Sequence, residues 1–185
     1  MDRDTQPAVP AEYSVKQGRD AYLAENGFTV EGYDDKWTQA SFFGLKFKVP
    51  NTAAHRRAIM WHDLHHVATA YGTDLPGEAE VSAWELRRGL KGLDLYVGSI
   101  VCGGVIMGLL IAPRRTLQAF QAAGAQPGRN LFAYDLSEYE ALLALNVASL
   151  REKLGVPNAG LASSHKLHAY APATLAHASE RAAAA

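Results

Sequence analysis

The run from Leu95 to Ala112, LYVGSIVCGGVIMGLLIA, holds eighteen residues without a charged side chain. A helix of that composition has no water-seeking face, so other elements must cover it or it must meet something greasy. A helix that crosses a bilayer needs about 20 predominantly apolar residues, which puts this run at the lower edge of that class. Gly98, Gly103, Gly104 and Gly108 suit close helix packing, in a protein core or in a membrane. The plain expectation is a central helix surrounded by other helices. The alternatives are a helix that touches lipid and one that lines a pocket for a greasy ligand.

The rest of the chain fixes the class. With 185 residues it can bury one good core and is short for two. Hydrophobic residues at 48% and charged residues at 20% are ordinary globular usage rather than disorder. Eighteen basic against nineteen acidic side chains leave a net charge of −1, so no global field draws nucleic acid, and no such partner is expected. The single cysteine, Cys102, excludes an internal disulfide and fits a reducing, cytoplasmic compartment. The opening MDRDTQPAVPAEY lacks the basic-then-apolar order of a secretory signal.

Local signals predict mostly helix. Residues 1–12 read as a loose leader. Ser14 and Gln17 form a capping box that starts a helix ending near Asn26-Gly27. Phe43, Leu45, Phe47 and Val49 alternate with polar residues and predict a short extended segment near 43–49, with no pairing partner after it. Asn51 or Thr52 caps a helix running to about Tyr71, and a second follows from Leu75 to Arg88, closed by Gly89. The apolar helix stops at Pro113, another covers Arg114–Ala123, and Ser137 with Glu140 caps a last one reaching Leu154. The sum is an all-α, single-domain helical bundle over 1–157, with an alanine-rich tail at 158–185.

Within that bundle, WHDLHHVATAYGTDLPGE at residues 61–78 concentrates the chemistry. At 100° per residue, His66 lies about 40° from His62 and Asp63 about 100°, and Ile59, Val67 and Ala70 share the arc. The three polar groups therefore point inward. Burying two imidazoles and a carboxylate costs several kcal/mol unless each finds a partner, and a divalent cation satisfies all three. Histidines at i and i+4 can reach one ion from one helix. YGTDLPG can reverse the chain, and Glu78 then falls early in the next helix, where the dipole favours an ionised carboxylate. His62, Asp63, His66 and Glu78 are thus the candidate ligands. Glu85 and Ser82 share the face of Glu78 and are held in reserve as ligands or as supports behind the ligands, Glu85 first. His65 falls off the arc, His55 lies nearly two turns away, and both are set aside. Mixed nitrogen and oxygen donors suit zinc, manganese or ferrous iron better than calcium, and two carboxylates admit magnesium.

HDLHH, eleven residues, then Glu78 resembles the His-Asp-x-x-His…Glu signature of the coenzyme Q biosynthesis protein 4 family. FKVPNTAAHRRAIMWHDLHHVATAYGTDLPGEAEVSAWELRRG, residues 47–89, is similar to that family's central block; the likeness is faint out to about residue 157 and not visible in the tail. The chain is shorter than the eukaryotic members. The resemblance implies a mostly α-helical protein of ubiquinone biosynthesis that carries a divalent metal, usually zinc, on His62, Asp63, His66 and Glu78. It implies either a scaffolding role or oxidative decarboxylation of a prenylated hydroxybenzoate ring, at the periphery of a membrane and among other enzymes of the pathway. The apolar run would then contribute Val101, Val105 and Leu109, with Arg114, to a groove for a polyprenyl tail. A prenylated aromatic or isoprenoid lipid, the pathway's enzymes and a second copy of the chain are the expected partners.

Three functions compete at this point. In an enzyme, a decarboxylase or hydroxylase, the cation would grip a substrate carboxylate or phenolate. In a lipid-binding scaffold it would staple two helices, and four ligands favour that, because closed four-ligand sites are typically structural. In a metallohydrolase, Asp63 would stand in for the glutamate of HExxH, but it is one methylene shorter and reaches a bound water less readily. Arg114 and Arg115 could meet a phosphate headgroup or simply be solvated. Tyr71 and Asp74 are expected to shape the turn, Cys102 to be an inert core thiol, and His165 and His168 to bind nothing.

Overall fold

A computed structural model describes residues 9–42, 45–125 and 128–162, with the backbone alone for 39–42 and 45–47. The described residues form seven α-helices and one antiparallel hairpin: α1 (Val15–Glu25), β1 (Trp37–Phe42), β2 (Leu45–Pro50), α2 (Ala53–Thr69), α3 (Leu75–Arg88), α4 (Leu95–Ile111), α5 (Pro113–Gly124), α6 (Tyr139–Leu143) and α7 (Val147–Leu154). The fold is all-α apart from that hairpin.

The helix starts follow from side chains that satisfy orphan N–H groups. Ser14 accepts from the Gln17 N–H, and the Gln17 side chain accepts from the Ser14 N–H. Thr52 accepts from His55 at 3.1 Å, Asp74 from Gly77 at 3.0 Å and Asp94 from Val97 at 2.8 Å. Pro113 separates α4 from α5 while serving as the first residue of the latter.

The core lies around α2 and α3. Trp61 and Leu64 from α2, Val81 and Trp84 from α3, Leu131, and Leu150 and Leu154 from α7 are fully buried together. A second cluster joins Val9, Tyr22, Val67 and Val147. Arg151 of α7 lies inside this body at 1% exposure, donating to the carbonyls of Val67, Ala68, Val9 and Asn158.

Several expectations need correction. The extended segment is paired, but upstream: Trp37 faces Pro50 and Phe42 faces Leu45 in an antiparallel register; Phe43 is outside the described residues. The segment read as a loose leader is seated from Val9 onward, whose side chain is buried and whose carbonyl holds Arg151. The helix expected to run to Leu154 is two helices, because Asn146 caps a fresh start at Val147 and bridges to Ser14. The second capping box pairs Asp135 with Glu138 rather than Ser137 with Glu140.

The largest correction concerns α4. It is not surrounded: only Val97, Val101 and Gly108 are buried, while Leu95, Ile106 and Leu110 are 91%, 61% and 72% exposed. Cys102 is exposed with them and is not a core thiol. One face packs on α3, where Gly104 lies against Ser82 and Gly108 against Ala79, and the other face is open. Among the described residues no helix is long and apolar enough to cross a membrane. Of the tail, Leu161 donates to the Thr69 carbonyl at 2.7 Å; His165 and His168 lie outside the described residues.

Candidate metal centre

The turn after α2 builds the site. Ala70 ends that helix in the left-handed conformation, φ 65°, and the chain reverses through Tyr71–Asp74 into α3. The reversal is so tight that a Cβ on Gly77 would lie 2.2 Å from the Gly72 carbonyl oxygen, a contact no backbone tolerates. Gly77→Ala must therefore push the start of α3 away, and Glu78 with it. The expected outcome is a loss of about 1–3 kcal/mol in stability, read by thermal melting, and weaker zinc binding in a competition titration.

His62, His66 and Glu78 converge on one point. His62 Nε2 lies 3.1 Å from His66 Nε2 and 3.2 Å from Glu78 Oε2, and His66 Nε2 lies 3.5 Å from Glu78 Oε1. Donors bonded to zinc at about 2.0–2.1 Å with tetrahedral angles are about 3.3 Å apart; the two imidazole nitrogens already have that spacing, and the Glu78 carboxylate faces them with one oxygen toward each.

The other ring nitrogens settle the tautomers. His66 Nδ1–H donates to the Tyr71 carbonyl at 3.0 Å, and His62 Nδ1–H donates to Glu85 Oε1 at 2.8 Å. A carbonyl and a carboxylate can only accept, so a neutral ring leaves its lone pair on Nε2. Two such lone pairs at 3.1 Å repel unless a positive charge stands between them. Without metal that charge is a proton on His62. Burial opposes it, but Glu85 and then Glu78 outweigh burial and raise the His62 pKa well above the ordinary value. Burial also opposes ionisation of Glu78, yet the two imidazoles hold its carboxyl far below the usual range.

A pH dependence follows with a definite sign. The proton on His62 stabilises the metal-free fold fully below the unfolded-state histidine pKa, and that stabilisation vanishes as pH rises through the raised folded value. A metal must displace this proton. Its apparent affinity should rise about tenfold per pH unit below the folded value and level off above it. Zinc titrations across neutral pH, with proton release measured in parallel, test this; a flat profile with no proton released would contradict it.

Glu85 is placed as a support. Fully buried, it accepts through one oxygen from both His62 and His65, the latter at 2.7 Å. Burial would raise its pKa, but the two histidines bring it down to about 2. Carboxylates behind a ligating imidazole fix its orientation and raise its basicity. Glu85→Gln should weaken zinc binding by about 10–100-fold and leave Ser82→Ala as an unaffected control, both read by competition titration.

The remaining residues fall elsewhere. Asp63 is buried, but its Oδ2 accepts from the Tyr33 hydroxyl at 2.5 Å, and it does not join the three converging donors. Burial, opposed by Tyr33 and the imidazoles, pushes its carboxyl up to about 6. Ser82 faces Gly104 of α4. His65 is buried, with Nε2 accepting from the Leu131 N–H at 3.3 Å, and His55 packs edge-on to Tyr96. Tyr71 and Asp74 do shape the turn, and the Tyr71 carbonyl also aims an imidazole. The four groove candidates differ in burial: Val101 is buried, Val105 packs against the core, and Leu109 and Arg114 are exposed. Glu85, expected as a reserve ligand or as a support behind the ligands, takes the supporting place, and Tyr33 is the site feature that sequence reasoning missed. Tyr33 lies in a short 3-10 turn, Val30–Asp34, that carries no periodic signal.

Fold and site together define a helical protein with a His-His-Glu cluster able to hold a metal ion between α2 and α3. Comparison with protein-family models, with curated proteins and with solved structures gives no match.

Proposed function

We propose that this chain is a divalent-metal protein of ubiquinone or related prenylated-quinone biosynthesis, with zinc the preferred ion over manganese, ferrous iron and magnesium. The observation that carries the metal is the pair of imidazoles whose Nδ1 atoms are tied to acceptors while both Nε2 atoms face Glu78. The pathway rests on the likeness of residues 47–89 to the coenzyme Q biosynthesis protein 4 family.

The proposed reaction is oxidative decarboxylation of a prenylated hydroxybenzoate ring, drawing on an external two-electron oxidant. When bound, the cation supplies a Lewis acid for a ring carboxylate or phenolate. His62, His66 and Glu78 hold it, and Glu85 and the Tyr71 carbonyl keep both rings aimed. Three converging donors leave a fourth position for substrate, the pattern of catalytic rather than structural sites. That favours the enzyme over the alternative, a lipid-binding scaffold stapled by its metal. A metallohydrolase is disfavoured, since the Asp63 carboxylate is engaged by Tyr33. Prenylated substrates reside in lipid, so a place at the inner face of a membrane, beside other enzymes of the pathway, belongs to the same reading.

The test is elemental analysis of protein purified without added metal, then incubation with a prenylated hydroxybenzoate in buffered water with a two-electron oxidant supplied, while following carbon dioxide release and the hydroxylated ring. Metal at one equivalent with turnover that stops on chelation supports the enzyme. Turnover in metal-free protein overturns the metal's role, and unfolding on chelation without any chemistry selects the staple.

A further inference from the structure

Among the described residues, nothing covers the open face of α4. Leu95, Ile106, Leu109 and Leu110 fall within about 100° of one another around the α4 axis and are exposed, as are Ile100 and, from α5, Leu117. Isolated exposed apolar residues are ordinary, but contiguous ones on one helix face mark a binding surface. The charge around it identifies the occupant. Between positions 87 and 125 the chain carries five basic side chains and one acidic, Asp94; Arg115 is paired with Glu80 and Arg88 lies half-buried over Trp84, which leaves Arg87, Lys91 and Arg114 exposed. The remainder carries thirteen basic against eighteen acidic. The exposed cations Lys91 and Arg114 flank α4 just before its start and just after its end, and Asp94 is engaged with the Val97 N–H.

We infer that the α4–α5 face docks on an anionic lipid bilayer, with α4 lying in the interface plane rather than crossing it. An uncharged face between cationic ends matches acyl chains flanked by anionic headgroups. A second copy fits worse: with cations at both ends, parallel and antiparallel pairing of α4 both bring like charges together. The docked helix also sits against the metal centre, since Gly108 meets Ala79, the residue after Glu78. This deepens the peripheral-membrane part of the proposed function by naming the surface, and it does not depend on the metal chemistry.

Co-sedimentation of the full chain with vesicles of phosphatidylcholine and phosphatidylglycerol, roughly three to one, against phosphatidylcholine alone, tests it. The expected result is binding to the anionic vesicles only, weakened at least about tenfold by paired Ile106→Glu and Leu110→Glu, with zinc content unchanged. Lys91→Glu with Arg114→Glu reads the same face without touching apolar packing and should also abolish binding. No sedimentation, equal binding to neutral vesicles, or unchanged binding by both double variants overturns the inference. So does a dimer seen by light scattering that the Ile106 and Leu110 variants dissolve while vesicles go unbound. Vesicle binding by a chain that takes up no metal would sink the proposed chemistry and leave the docking face standing.

Discussion

Replacing His66 with alanine should abolish metal binding at the His62–His66–Glu78 cluster. Structural zinc sites hold their ion with about 10–16 kcal/mol in total, so losing one of three converging donors should weaken binding by about a thousandfold or more. Neither neighbour can replace it: His65 is committed to Glu85 and the Leu131 N–H, and Asp63 to Tyr33. His66 also stacks on Tyr22 with ring centres 5.2 Å apart and is 1% exposed. The metal-free variant should therefore be less stable than metal-free wild type by about 2–3 kcal/mol, from the cavity alone. Elemental analysis and chemical denaturation of His66→Ala, with His55→Ala as the control that keeps its ion, separate the two effects. One equivalent of zinc retained by His66→Ala would refute the centre as described.

Arg151→Leu should be the most destabilising single change. The guanidinium is buried and donates to four carbonyls contributed by α2, the start of the described chain and the segment after α7. Leucine fills part of the volume but leaves those carbonyls without donors, and breaking a buried polar cluster from one side costs about 3–5 kcal/mol. For a chain of this size that corresponds to a melting temperature lowered by roughly 10 °C. The Val67 and Ala68 carbonyls belong to the last turn of α2, so a softened α2 end should also loosen the grip on His66. A melt within a degree or two of wild type would show that other donors reach these carbonyls.

Much of this was legible locally. Ser14, Thr52, Asp74 and Gly89 announce their helix ends because capping uses near neighbours alone, and the i, i+4 histidines with the YGTD turn bring Glu78 around for the same reason. What needed the third dimension was less visible. The helical wheel set His65 aside because it lay off the presumed interior arc, but α2 is buried nearly all round, so an off-arc residue is inside too. Glu85 shares the face of Glu78, and the wheel cannot tell which imidazole nitrogen it meets; that nitrogen decides between ligand and support. An uncharged helix was expected to be covered, yet coverage depends on whether another element is left over to supply it, and no periodicity within α4 records that. The break at Asn146 reflects its bridge to Ser14, a contact across most of the chain.

The ligands span only positions 62 to 78, and their carboxylate support lies at 85, whereas the Arg151 clamp reaches back 84 residues to Val67. Closing a short loop sacrifices little chain freedom, so an ion can be captured by a helical hairpin before the C-terminal half has folded onto it. Pulsed hydrogen exchange during refolding would then show amides of α2 and α3 protected early when zinc is supplied, and those of α7 late in either case.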